Sequence, residues 1–388
     1  MPTPFISRTP IYTRTLETYG YELRLFGRTE AAPVNSLATV AQQIDLQRLA
    51  GSAPVLVRPS PEEWPLLEQL PWPHEQVIVV LSTDDGGGNI DPGQVAALRA
   101  AGFTVALDGM ANSAQLAGRN GVALCSIDAL RLEAWESEAP IGPGTRPPQL
   151  MIRNLSSAAQ HALSVRLGFD LFHGSYFEKP RLTRDLSANR LQTLQLVARL
   201  QEPDISMDTV THLVKQDLTL SYKLLRMLNS AYFGIPKQVE SISRAVVFFG
   251  LQRIKNWATV LLVNSTEFQP REMLVTAMIR ARMCELLATA CSRPSPERYY
   301  LAGLFSLLDS IMDAPMDTIL ATLGLAAEID EALLTGGGPI GDVLQTVRAF
   351  EQGHPQVHAG LRLEDDWVLQ HAYLEALGWT SDTYGHML

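Results

Sequence analysis

Cysteine is scarce in this chain: Cys125, Cys284 and Cys291 are the only three, and no two are spaced as CxxC. An odd and scattered set excludes a disulfide framework and gives no pattern for a structural zinc site. The three read as buried thiols in a reducing compartment. Long apolar runs are missing as well. No segment reaches the roughly 20 residues that cross a bilayer. Met1 to Arg8 lack the apolar stretch of a signal peptide, so a cytoplasmic protein without membrane attachment is expected. Positive charge is not in excess, since 31 Lys and Arg face 41 Asp and Glu for a formal net charge of −10. That balance disfavours wholesale attraction to nucleic acid or anionic lipid. Internal repeats and long low-complexity tracts are also absent.

What is present is 388 residues, 46% hydrophobic and 19% charged, enough for two well-buried domains. The first half mixes β-rich runs, Val77 to Leu81 and Phe103 to Leu107, with a helical pattern from Gly93 to Ala101. Strand, helix, strand in that order implies a parallel sheet with crossover helices. The turn Asp84 to Asn89 leads to Pro92 at the expected helix start. From about Ser187 the apolar spacing becomes helical throughout, with patterns at Leu191 to Leu200, Leu218 to Leu228, Leu251 to Val263 and Met273 to Ala290. Helices this short need each other, so one all-α bundle is expected. The connector Gly336-Gly337-Gly338-Pro339 lacks the Lys-Ser/Thr that a phosphate-cradling loop requires.

Three stretches carry a family resemblance in the first half: Arg8 to Tyr12, Gly20-Tyr21-Glu22-Leu23, and Leu167 to Pro180. In that order they resemble the opening and closing motifs of EAL domains, the cyclic-di-GMP phosphodiesterases. The resemblance implies a TIM-like α/β barrel and hydrolysis by divalent metals held on oxygen ligands. This chain keeps few of those ligands. Glu22 matches the first acid of Glu-Ala-Leu, but Leu23-Arg24 follows it. Arg58 falls near the family's Asn and Val80 near its next Glu. Asp108-Gly109 retains one acid of a pair, Ser126-Ile127-Asp128 lacks the family's Lys, Arg153 stands near a further Glu, and His173 replaces Gln. The resemblance therefore implies a degenerate, non-hydrolysing barrel. Glu22, Asp108 and Asp128 either bond backbone at strand ends or, with Arg24 and His173, line a pocket for cyclic-di-GMP. Arg24, Arg28, Arg58 and Arg153 are the candidates for phosphate contacts.

In the second half, Lys223 to Gly234 with Ile242 to Gly250 resembles the signature of the HDOD domain, a helical relative of the HD phosphohydrolases. Ser306-Leu307 stands where the metal-binding His-Asp pair would be, and Asp309 is left without a His partner. His354 and His358 have the i, i+4 spacing of a metal pair, but Gly353 and Pro355 argue for a loop. His212 and His371 read as ordinary helix residues. Asn229-Ser230-Ala231 reads as a helix stop and Gly250 as a tight turn. Leu224, Leu228, Val247, Phe248 and Phe249 read as core. The basic group Lys215, Lys223, Arg226, Lys237, Arg244, Arg253 and Lys255 reads as a solvated face or a surface for an acidic protein rather than for nucleic acid, although Tyr232 and Trp257 are placed to stack on bases.

The expectation is a degenerate EAL barrel at residues 1–183 followed by an all-α HDOD bundle at 187–388. The protein is expected to be catalytically inactive, without metal or other cofactor, and to act in bacterial signal transduction through other signalling proteins or as a homodimer. A non-hydrolysing cyclic-di-GMP receptor is the alternative, and a residual metal-dependent phosphodiesterase the second.

Overall fold

Val77 to Leu81 are buried at every position, as a parallel strand covered on both faces must be. They belong to the fourth of eight strands that close into a barrel in sequence order. The computed structural model describes residues 5–26, 37, 41–42, 44–82, 92–109, 122–138, 149–179, 188–229, 239–264, 271–353, 361, 363 and 367–385. The strands are β1 (Phe5–Thr13), β2 (Thr18–Phe26), β3 (Val55–Val57), β4 (Val77–Ser82), β5 (Thr104–Asp108), β6 (Leu124–Asp128), β7 (Gln149–Arg153) and β8 (Leu171–His173). β1 runs antiparallel to β2 and β8, and every other pairing is parallel. The helices of this unit are α1 (Leu46–Ala50), α2 (Pro92–Ala100), α3 (Leu132–Glu138) and α4 (Ala158–Arg166). Pro92 opens α2 as expected, whereas the preceding turn at Asp84 to Asn89 lies outside the described residues.

Side chains alternate across a strand, so positions two apart share the barrel interior. Ile11, Leu56, Ile78, Val80, Ala106, Leu124, Met151 and Leu171 meet there as an apolar cluster. One alternation further along the parallel strands, Leu56 gives way to Arg58, Ala106 to Asp108, Leu124 to Ser126, Met151 to Arg153 and Leu171 to His173. The interior thus changes from apolar to ionic at the C-terminal ends of the strands, the end at which parallel α/β barrels build their sites.

The chain divides into two compact units, Met1–Phe177 with Glu351–Pro355, and Glu178–Phe350 with Gln356–Leu388. Of the expected junction, Lys179 to Asp185, all but Lys179 lies outside the described residues. The second unit is helical: α5 (Ala188–Gln201), α6 (Met207–Gln216), α7 (Leu218–Leu228), α8 (Ile242–Phe249), α9 (Leu251–Asn264), α10 (Arg271–Ala290), α11 (Pro296–Phe305), α12 (Leu308–Met312), α13 (Met316–Leu323), α14 (Ala327–Thr335), α15 (Gly338–Glu351) and α16 (Trp367–Gly385). Asp217 caps α7 by accepting from Leu220 N, and Ser241 caps α8 by accepting from Arg244 N. Gly250 turns the chain between α8 and α9 at φ 87°.

Two expectations for this unit are corrected. Val247 and Phe248 are not core: they are 72% and 60% exposed, because α8 turns Ile242, Ala245 and Val246 inward and these two outward. Lys255 is not a surface cation. It is buried and its Nζ donates to Glu202 O at 3.3 Å. Burial holds its ammonium below the usual value, with Glu202 opposing. Trp257 is likewise buried, so it offers no stacking platform.

Candidate functional site

Glu22 faces the barrel interior from β2, paired across the sheet with Thr9 and Leu56. Arg58, just past β3, donates from Nε to Glu22 Oε1 at 2.8 Å and from Nη1 to Asp108 Oδ2 at 2.6 Å. Arg153 at the end of β7 donates from Nη1 to the same Asp108 Oδ2, and its Nη2 lies 3.9 Å from Glu22 Oε1. Two guanidiniums therefore each span the same two carboxylates. Ser126 Oγ donates to the other oxygen of Asp108 at 2.6 Å. The four charges cancel, which is the condition for burying Glu22 and leaving the other three only partly exposed.

Burial opposes the charged form of Glu22, yet its positive neighbours outweigh it and hold the carboxyl at about 2. His173 has Nε2 3.1 Å from Thr9 Oγ1 and 3.4 Å from Glu22 Oε2. Its Nδ1 is buried and has no hydrogen-bond partner among the described residues, which assigns the proton to Nε2. Burial lowers the imidazole to about 4, with Glu22 opposing and Arg24, Arg153 and Arg58 assisting. At neutral pH His173 is thus uncharged, so Glu22 is then held ionised by Arg58 and Arg153, and His173 adds the largest lowering effect once it is protonated in acid. Burial disfavours the charged form of Arg58 too, but Glu22 and Asp108 raise its pKa overall.

The remaining predicted residues divide. Arg24, two residues beyond Glu22 on the same face of β2, is near enough to act on His173. Asp128 stands apart from the ionic cluster. It accepts from Leu130 N at 2.9 Å and from Asn154 Nδ2 at 2.6 Å, capping the short helical turn Ala129–Arg131. Arg28 lies outside the described residues. Val80 is part of the apolar cluster.

The EAL resemblance raises the question of divalent metal. A hard cation requires several oxygens converging at about 2.0 to 2.6 Å. Between Glu22 and Asp108 that space holds the Arg58 guanidinium instead, and Arg153 brings a second positive charge to the same pair. These residues do not fit a metal ion. Among the described residues no group of three or more His, Cys, Asp or Glu side chains is arranged to hold one.

In the helical unit, Ser306 lies at the C-terminal end of α11, buried. Its Oγ donates to Gly303 O at 2.7 Å and accepts from Arg280 Nη1 at 2.9 Å, while its carbonyl accepts from Arg348 Nη2 at 3.1 Å. Arg280 is itself buried, with Nη2 3.5 Å from Glu178. Burial raises Asp309, and its hydrogen bonds to Ser310 oppose that rise. The position expected for a His-Asp pair is thus occupied by a hydroxyl held by a buried guanidinium. His354 and His358 lie outside the described residues, as do Ser230, Ala231 and Tyr232.

Sequence reasoning named Arg58 and Arg153 as lost ligands and phosphate contacts but not as partners of Glu22 and Asp108. Two cations gained where two ligands are lost is the signal that pairs them. Ser126 was noted only as standing at the family's Lys position and not as a partner of Asp108, while Thr9 and Arg280 were missed as site residues.

Comparison with known proteins agrees with this architecture. The HDOD domain family matches residues 191–323. YuxH of Bacillus subtilis strain 168 is 30% identical over 265 residues, 66% of this chain and 64% of YuxH, so the match spans somewhat under two thirds of that protein. The cyclic di-GMP phosphodiesterase CdgJ of Vibrio cholerae is 27% identical over 410 residues, 98% of this chain and 93% of CdgJ. The EAL domain of Xanthomonas citri FimX, solved with c-diGMP, is 15% identical with a TM-score of 0.34, covering 45% of this chain and 86% of that one. No helix among the described residues is long and apolar enough to cross a membrane. The chain thus joins an eight-stranded barrel, with its ionic site at the strand ends, to a helical unit of which residues 191–323 match the HDOD domain family, and in this two-part architecture it is similar to the EAL-HDOD proteins.

Proposed function

We propose that this protein is a non-hydrolysing member of cyclic-di-GMP signalling that acts through contacts with other signalling proteins. The observation that carries the reading is Arg58, whose guanidinium bonds both Glu22 and Asp108. Metal-dependent phosphodiester cleavage needs carboxylates free to hold a cation and activate water. Here the two acids are already neutralised, and Val80 and Arg153 stand where further acidic ligands are expected. CdgJ bears the name of a phosphodiesterase, but 27% identity over the whole length leaves individual site residues free to differ.

The helical unit supports the contact role. Val247 and Phe248 on α8 and Tyr222 on α7 expose large apolar side chains, and the exposed Arg226 and Arg244 lie on the same two helices. Apolar anchors with basic neighbours suit an acidic protein partner better than nucleic acid, given the net charge of −10. A second copy of the chain is the other occupant of the same kind.

A second reading, a receptor that binds cyclic-di-GMP without cleaving it, is favoured by the residual exposure of Arg58 and Arg153, 26% and 16%. With Arg24 beside them they offer donors to phosphate at the barrel mouth. Full-length protein incubated with cyclic-di-GMP in magnesium and then manganese tests both readings. Intact nucleotide is expected from wild type and from Glu22→Gln alike. Turnover abolished by Glu22→Gln would establish the residual phosphodiesterase instead. Calorimetric titration under the same conditions separates a receptor from a protein that works by protein contacts alone.

A further inference from the structure

The ionic cluster is a ring of alternating charge. Glu22 Oε1 meets Arg58 Nε at 2.8 Å, Arg58 Nη1 meets Asp108 Oδ2 at 2.6 Å, Asp108 meets Arg153 Nη1, and Arg153 Nη2 returns to within 3.9 Å of Glu22. Two cations thus lie between two carboxylates that come from strands well separated in sequence. Both arginines pair with Glu22 and Asp108, and Asp108 accepts from Arg58 and Arg153 on Oδ2 and from Ser126 on Oδ1. The carboxylates are not stray surface acids either. Glu22 is buried, and its ionised form at about 2 exists only because positive charge surrounds it.

We propose that Arg58 and Arg153 are built-in cations. They supply the positive charge that Glu22 and Asp108 require, so the barrel mouth is charge-balanced without metal and excludes divalent ions. Removing both guanidiniums turns the same carboxylates into a divalent-cation site.

The argument is electrostatic and steric. With both arginines present the ring is neutral, so an incoming divalent ion meets no net attraction and must displace a guanidinium bonded at 2.8 and 2.6 Å. Without them the net charge becomes −2, and two carboxylates with retained water are the donor set that magnesium-like ions accept. A neutral amide at either position removes charge while keeping a side chain in place. This inference rests on the non-hydrolysing reading of the barrel, and deepens it by saying what replaced the metal.

The test is manganese titration into the full chain, read by calorimetry and by water proton relaxation, for wild type, Arg58→Gln/Arg153→Gln, and that double variant with Glu22→Gln added. Wild type is expected to show no saturable binding. The double variant is expected to bind manganese at least about tenfold more tightly, and the triple variant to lose that binding. Loss of charge balance will weaken the double variant, so its circular dichroism melt is recorded with and without manganese, and a rise in melting temperature with the ion is a second expected result. Wild-type binding that Glu22→Gln abolishes overturns the proposal. So does a folded double variant that takes no manganese, or an unfolded one that manganese does not restore. Nucleotide turnover by wild type without Glu22-dependent manganese binding sinks the functional reading and leaves this one standing. Glu22-dependent binding without turnover does the reverse.

Discussion

Asn229 and Val239 hold one another by two hydrogen bonds: Asn229 Nδ2 donates to Val239 O at 2.9 Å, and Val239 N donates to Asn229 Oδ1 at 2.7 Å. Asn229 sits at the C-terminal cap of α7, so its amide ties that helix end to the backbone just before α8. Only a side chain with a donor and an acceptor on one short stem satisfies both groups. Asn229→Asp is isosteric but leaves Val239 O without its donor and sets a charge against it. Asn229 is itself exposed, so a loss of about 1 kcal/mol is expected, whereas a cap residue serving only as a helix stop would lose little. Thermal unfolding of the full chain, followed by hydrogen exchange at α7 and α8, distinguishes the two.

Gly303 on α11 permits a close approach to α10. A Cβ there would lie 2.5 Å from Ala281 Cα and 2.7 Å from Ala281 N, both backbone atoms that cannot swing aside. Gly303→Ala is expected to force the helices apart and destabilise by about 1 to 3 kcal/mol or more. Gly378 on α16 is the counter-case, with nothing within 4 Å of its would-be Cβ. Gly378→Ala is expected to stabilise by about 0.5 to 1 kcal/mol through helix propensity alone. Opposite shifts in the denaturation midpoint of the two variants check the packing account.

The elements that could be read beforehand are those whose signal is local. Val77 to Leu81 spelled a strand because both its faces are buried, and Leu218 to Leu228 spelled α7 to the residue. Glu22 and Asp108 could be found because a motif surrounds each. Their partners could not, since Arg58 stands 36 and 50 residues away from them and Arg153 stands 45 from Asp108. Closure of the barrel, not chain spacing, brings them together. Val247 and Phe248 failed for a related reason: hydrophobicity favours burial only where another element is there to cover the face, and α8 buries its opposite side. Arg280 had no local signal at all, since its burial and its partners Ser306 and Glu178 come from other parts of the helical unit.

Charge compensation at the barrel mouth gives a stability prediction. Among the described residues, Arg58→Met removes the one guanidinium hydrogen-bonded to Glu22 and leaves a buried carboxylate whose remaining arginine is 3.9 Å away. Breaking a buried pair from one side costs about 3 to 5 kcal/mol, and the partial exposure of Arg58 places the expectation near the lower figure. Adding Glu22→Gln removes the stranded charge, so the double variant is expected to recover more than half of the loss. A double-mutant cycle from urea denaturation, read by hydrogen exchange at β2 and β3, measures that coupling. Additive losses would mean that the two side chains do not depend on one another.

His173 should make the barrel acid-sensitive in a window of its own. Its folded value of about 4 lies below the ordinary histidine value of 6.5, so between those limits the unfolded chain binds a proton that the folded chain refuses. Stability from this group is therefore fully present above about pH 6.5 and falls as pH drops toward 4. The depression corresponds to about 3 kcal/mol as an order of magnitude. Glu22 has the same sign in a lower window, because its depression from 4.5 to about 2 makes its contribution present above 4.5 and lost on further acidification. His173→Gln keeps a neutral donor near Thr9 and Glu22 while removing the titrating group. In this variant, hydrogen-exchange protection of β1 and β8 is expected to stay flat from pH 7 to 5, where wild type declines, and both proteins should lose protection below about pH 4.5. A wild-type barrel equally protected at pH 7 and 5 would show that the buried imidazole takes up its proton without penalty.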